Sequence, residues 1–94
     1  MTAKQRAKLR SLANNIDTIL QVGKGGINEN LIKLVDDALE ARELIKLHTL
    51  ETSPLSAKEA MNELASATGA TPVASIGKRF VLYRESINNK TIIL

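Results

Sequence analysis

The sequence predicts an α/β fold: a single compact domain with element order α-β-α-β-α-β-β and a mixed four-stranded sheet packed with helices. Three observations predict it. Apolar residues recur at helical spacing in three segments and alternate, or form short runs, in four others. Helical and extended segments take turns along most of the chain, which implies right-handed parallel crossovers. The last two extended segments are separated only by Gly77-Lys78, which suits an antiparallel hairpin with glycine first in its turn. The 94 residues give room for one domain, residues 1–94, with a modest core.

The elements follow in order. Thr2 is placed to cap a first helix from Ala3 to about Asn15, whose Leu9, Leu12, Ala13 and Ile16 make one buried stripe. Lys4 with Lys8, and Arg6 with Arg10, stand four residues apart and stack in two rows away from that stripe. Ile16 to Val22 reads as a strand, with Ile16, Leu20 and Val22 on one face. Asn28 caps a second helix reaching about Ala41, with Leu31, Ile32, Val35, Ala38 and Leu39 inward. Glu43 to Leu50 is the second strand, Ile45 and Leu47 opposite Lys46 and His48. Ser56 and Glu59 form a capping box for a third helix that ends near Gly69 and buries Ala60, Met61, Leu64 and Ala67. Thr71 to Ile76 and Arg79 to Arg84 are the final strands. The near-continuous apolar run Phe80-Val81-Leu82-Tyr83 marks the last as interior to the sheet. The apolar tail Thr91-Ile92-Ile93-Leu94 docks on the domain, adds a short strand or frays.

Composition excludes several classes of function. There is no cysteine, hence no disulfide, thiolate zinc site or cysteine nucleophile. The first ten residues are polar and basic, with no secretory h-region, and no apolar run is long enough to span a membrane. One Phe, one Tyr and no Trp argue against an exposed aromatic stacking platform. Charge is unevenly spread. Lys4, Arg6, Lys8, Arg10 and Lys24 face only Asp17 in the first 26 residues, and Lys78, Arg79, Arg84 and Lys90 face only Glu85 near the other end. The middle of the chain is acidic. If the two ends meet in space they form one surface for a polyanion; if not, they are ordinary solvated charge.

Gly23-Lys24-Gly25-Gly26 is the leading candidate for chemistry. It follows a strand and opens a helix, the context in which phosphate is commonly held by a close backbone and a helix N-terminus. Nothing in the chain matches a Walker A loop, and Asn28 stands where a dinucleotide fingerprint needs its third glycine. What is present suffices for a clamp on a single nucleic-acid backbone, as in KH-type modules. Read alone, the same four residues also make a plain turn. The second candidate is the hairpin tip with Lys78 and Arg79, which also reads as a charged sheet end that keeps the edge soluble. His48 is the only histidine and has no metal partner at helical or strand spacing, so no metal site is expected. Asp36, Asp37, Glu40 and Glu43 read as a solvated acidic face, since no nucleophile or histidine converges on them.

Four motifs in order resemble one family. Gln21-Val22-Gly23-Lys24-Gly25-Gly26-Ile27, Glu43-Leu44-Ile45-Lys46, Ile76-Gly77-Lys78 and Leu82-Tyr83-Arg84 are similar to the CRM domain (chloroplast RNA splicing and ribosome maturation), most of all to its stand-alone bacterial YhbY-type form. The similarity covers about residues 3–86, with Leu47 where the pattern often carries a β-branched residue. It implies a fold similar to the C-terminal domain of bacterial translation initiation factor three, an RNA contact at Gly23, Lys24, Gly25 and Gly26, and association with ribosomal RNA in precursors of the large subunit. The expected function is therefore RNA binding in ribosome assembly. Lys4, Arg6, Lys8, Arg10, Lys78 and Arg79 extend the electrostatic footprint, and the protein acts as a cytoplasmic monomer without catalysis, cofactor, DNA or membrane. Two rival readings remain: a protein-interaction module docking through the acidic second helix, and a small enzyme with a phosphate ligand in the glycine loop.

Overall fold

The structure is a computed structural model that describes residues 1–94. Its elements are α1 (Ala3–Ala13), β1 (Thr18–Val22), α2 (Glu29–Arg42), β2 (Leu44–Thr49), α3 (Ala57–Thr68), β3 (Thr71–Ile76) and β4 (Arg79–Tyr83), in the predicted order. The sheet runs β1-β2-β4-β3. β1 and β2 are parallel around α2, while β4 is antiparallel to both β2 and β3. The β2–α3–β3 crossover therefore leaves a gap of one strand, which β4 fills by folding back through the Gly77-Lys78 turn. This makes β4 interior, as its apolar run requires.

Alternation along the strands sorts side chains into two cores. Val22, Ile45, Leu47, Phe80 and Leu82 face α2 and α3, and pack with Val35, Leu39, Ala60 and Leu64. Leu44, Val81, Tyr83 and Val73 face the other way and are covered by Leu9 and Ala13 of α1. The result is three layers, with two helices on one face of the sheet and one on the other. Because α1 stops at Ala13, it covers only part of its face. The far end, where His48 and Arg79 stand side by side in register, stays open.

Several sequence expectations are corrected by this geometry. Leu12 does not join the buried stripe of α1 but is 38% exposed, since only Leu9 and Ala13 point squarely at the sheet. Ile16 does not share a face with Val22. The strand starts two residues later, with a register shift between Thr18 and Leu20, and Ile16 packs on the α1 side. In α3 it is Ala57, Ala65 and Thr68 that are buried alongside Ala60, Met61 and Leu64, whereas Ala67 is exposed.

The largest correction concerns the acidic face. Glu43 is not the first residue of β2 but the cap residue after α2, at φ 65°, and its side chain is completely buried. Its carboxylate accepts from the backbone N–H groups of Ser86 (2.8 Å), Thr91 (2.6 Å) and Ile92 (2.8 Å). Glu40 accepts from the Ser86 hydroxyl and from the N–H groups of Ile87 and Asn88. Asp36 pairs with Arg84, whose guanidinium also reaches the carbonyl of Thr68 at 2.8 Å. Only Asp37 fits the expectation of a merely solvated charge. The tail is docked: Ile92 packs against the α1-side core, and Lys8 donates to the carbonyl of Ile93.

These bonds make the tail sensitive to acid. The Ser86 hydroxyl and the Ile87 and Asn88 N–H groups hold the Glu40 carboxyl at about 2 rather than the usual 4.5. At Glu43 burial pushes the carboxyl up, but the bonds from Ser86, Thr91 and Ile92 outweigh it and the net direction is down. A carboxylate lowered in the folded state stabilises it fully above the ordinary value and ceases to do so as pH falls through the folded one. Amide hydrogen exchange should therefore show protection of Ile87 and Asn88, the backbone donors to Glu40, at neutral pH, lost ahead of the core strands as pH falls from 4.5 towards about 2. Equal protection of the tail amides across that window would contradict these contacts.

Candidate nucleic-acid interface

The glycine loop is a tight turn at the C-terminal end of β1. The N–H of Gly26 donates to the carbonyl of Gly23 at 3.0 Å, which leaves Lys24 and Gly25 exposed at the two central positions. Only Gly26 has a positive φ, +63°, and a Cβ there would stand 3.2 Å from Pro54 Cγ. Gly26 thus lets the loop close against the β2–α3 connection. Gly25 has no such constraint, and its bare backbone is what the loop offers to solvent. Gly26→Ala is expected to cost about 1–2 kcal/mol, from the left-handed backbone and the Pro54 contact, with Gly25→Ala close to neutral. Urea unfolding of both variants checks this, and equal midpoints would contradict it.

The helix end behind the loop is less free than the sequence suggests. Asn28 Oδ1 accepts the N–H of Leu31 at 2.9 Å, and Glu29 places a carboxylate in the first turn of α2. Part of the helix-end charge is therefore already met. Lys24, with no ion pair or hydrogen bond, carries the attraction for an anion at this loop.

The hairpin tip lies at the same end of the sheet. The Thr49 N–H donates to the carbonyl of Lys78 at 2.8 Å, and the Leu50 N–H to that of Val22 at 2.9 Å. The end of β2 thereby bridges the tip to the strand that enters the glycine loop. β1 and β4 are separated by two strand spacings, so about 10 Å divides them. Lys78 pairs with Glu51, while Arg79 has no carboxylate partner.

The predicted cations separate into two groups. Arg10, at the last turn of α1, and Arg79, at the start of β4, line one cleft between helix and sheet, so the basic ends of the chain do meet. Lys24 and Lys78 flank that end. Lys4 and Lys8 do not join them. Lys4 lies in the first turn of α1, and Lys8, midway along the helix, holds the tail. Arg6 is half-buried and clamps the helix to an edge strand, donating to the carbonyls of Pro72 (2.6 Å) and Val73 (3.1 Å). Two residues that sequence reasoning did not select belong to the basic end. Lys46 bonds the carbonyls of Ala13 (3.2 Å) and Ile16 (3.5 Å), placing its charge at the C-terminus of α1. His48 stands between Gln21 and Arg79 in a cross-strand row. Their position opposite the core residues Ile45 and Leu47 is the signal that marked them as outward. That α1 would stop short of them was not readable from pattern alone.

No group of histidines and carboxylates is arranged to hold a metal ion, and no helix is long and apolar enough to cross a membrane.

A three-layer α/β domain with a cationic sheet end beside a glycine turn offers a surface for a polyanion. Comparison with known proteins gives the family. The profile of the CRS1 / YhbY (CRM) domain matches residues 1–84. The chain is 44% identical over 92 residues to the Probable RNA-binding protein YqeI of Bacillus subtilis, covering 98% of this chain and 96% of that one. It is 29% identical over 86 residues to an RNA-binding protein of Haemophilus influenzae, covering 92% and 87% of the two chains. The solution structure of the hypothetical protein SAV1595 from Staphylococcus aureus superposes with a TM-score of 0.82 at 54% identity, over 100% of this chain and 98% of that one. The protein belongs to the CRS1 / YhbY (CRM) domain family, and with it to a family of RNA-binding proteins.

Proposed function

We propose that the protein binds ribosomal RNA in precursors of the large ribosomal subunit and assists their assembly in the cytoplasm, as a monomer and without catalysing a reaction. The observation that carries this reading is the meeting of Arg10 and Arg79 in one cleft, at the end of the sheet where β1 runs into the exposed turn of Lys24 and Gly25. None of the three cations has a carboxylate partner. Such a surface suits a phosphate backbone, which positions the protein without reading sequence. The carboxylates with lowered pKa, Glu40, Glu43 and Glu59, are occupied by the tail or by the cap of α3, so none of them is free to act as an acid or base. Lys4, Arg6 and Lys8 add to the overall positive field rather than to this contact.

Binding through phosphates displaces condensed counterions, so affinity falls as salt rises. Measured by fluorescence anisotropy with a fragment of large-subunit ribosomal RNA, affinity should drop by about tenfold or more between 50 and 200 mM salt. An affinity unchanged by salt would overturn the reading.

A further inference from the structure

The cleft between the C-terminal turn of α1 and the sheet does more than carry charge. It encloses about 210 Å³, lined by the cationic side chains of Arg10, Lys46 and Arg79 and by Ala13, Asn14, Ala74, Ile76 and Val81, with paired Ala74 and Val81 in the sheet that floors it. Its lining contains no carboxylate. Lys46, Val81 and Ala74 are neighbours in register across β2, β4 and β3, so the floor is a rigid part of the sheet. The half-open α1 side continues into a second hollow shared through Ile76 and Arg79, which exposes Thr18, His48 and Lys78. Nδ1 of His48 is buried there without a hydrogen-bond partner.

A phosphate backbone alone does not account for this shape. A convex cationic surface would serve it equally well, and an apolar floor offers phosphate nothing. The cleft is also smaller than the roughly 300–1,000 Å³ of sites for drug-sized ligands. A cationic rim above a small apolar floor matches one nucleotide, with its phosphate at the rim and its base on the floor. Guanidinium planes stack on bases, so Arg10 and Arg79 can cover an inserted ring where the fold supplies no aromatic side chain.

We infer that this cleft accepts a single unpaired nucleotide of the bound RNA, with the base seated on Ala13, Ala74 and Val81 between Arg10 and Arg79. The inference rests on the proposed RNA binding and adds a preference within it. RNA with a bulged or looped-out nucleotide binds more tightly than the fully paired helix of equal length, because only the former supplies a base without breaking a pair.

The test compares two hairpin RNAs that differ by one bulged nucleotide, using the full-length protein and the variant Ala74→Leu. Leucine at this position fills the floor and leaves every charge in place. The unmodified protein should bind the bulged RNA about tenfold more tightly, the contribution of one well-seated base. Ala74→Leu should bind both RNAs alike, with the salt dependence of the paired hairpin unchanged. Equal binding of both RNAs by the unmodified protein overturns the cleft while leaving RNA binding in place; binding of neither overturns the proposed function itself. In case leucine disturbs the edge strand, methyl spectra of the unmodified protein supply a second reading. Titration with a short single-stranded oligonucleotide should shift the methyl signals of Ala13, Ala74 and Val81. Shifts confined to the glycine loop would overturn the proposal.

Discussion

Glu43→Ala is expected to destabilise the domain by about 3 kcal/mol, the scale for removing a buried charged acceptor from several backbone donors. In a domain of this size that lowers the melting temperature by roughly 12–24 °C. The cause is specific. Three backbone N–H groups, of Ser86, Thr91 and Ile92, end on this one carboxylate, and the Thr91 hydroxyl joins them. Without it they regain partners only if the tail leaves for water, and departure removes Ile92 from the α1-side core. Two further substitutions separate the contributions. Glu43→Gln keeps an acceptor for one side of the cluster but turns an NH2 group towards donors on the other, so it should fall between alanine and the parent. Glu43→Gly loses the carboxylate but relieves the backbone at φ 65°, and should be about 1–2 kcal/mol more stable than the alanine variant. Thermal and urea unfolding check the ranking parent, Gln, Gly, Ala; alanine equal to the parent would show that the tail adds nothing to stability.

Lys24→Glu is expected to weaken RNA binding by about tenfold or more at low salt and to make the salt dependence shallower by at least about one unit of log–log slope. Stability should hardly change, because Lys24 is exposed and touches no other side chain through an ion pair or hydrogen bond. Arg79→Glu should act alike from the other side of the β2 end, whereas Lys4→Glu, at the opposite end of α1, should have a smaller effect. Anisotropy titrations across a salt series give both affinity and slope. If Lys24→Glu and Lys4→Glu lower affinity equally, the net charge of the protein, not a surface at the sheet end, governs binding.

How the site could be read from the sequence differs residue by residue. The order of elements followed from periodicity, and the caps at Thr2, Asn28 and Ser56 were visible as residue types at the right spacing. The interior place of β4 followed from Phe80-Val81-Leu82-Tyr83, because an unbroken apolar run needs cover on both faces. Glu43 was misread because its neighbours Asp36, Asp37 and Glu40 suggest a helix face in water. What buries it is a tail more than forty residues away, and no local pattern carries that contact. Arg6 was misread for a similar reason. A basic residue in a basic helix looks solvent-facing until the carbonyls of Pro72 and Val73 come within reach. The meeting of Arg10 with Arg79 was conditional in the sequence, since it depends on where α1 crosses the sheet. Of the glycines, Gly26 looked like part of a ligand cradle, yet its positive φ and contact with Pro54 give it the task of closing the turn.

The most direct test of the account is to map the RNA contact on the protein itself, by following backbone amide and arginine side-chain NMR signals of the full chain during titration with a large-subunit ribosomal RNA fragment. The predicted result is that the shifts cluster at Gly23 to Asn28, at His48 to Leu50, at Gly77 to Arg79 and at Arg10, and recede as salt is raised. Shifts centred instead on the acidic outer side of α2 around Asp37, with the glycine loop unmoved, would contradict it.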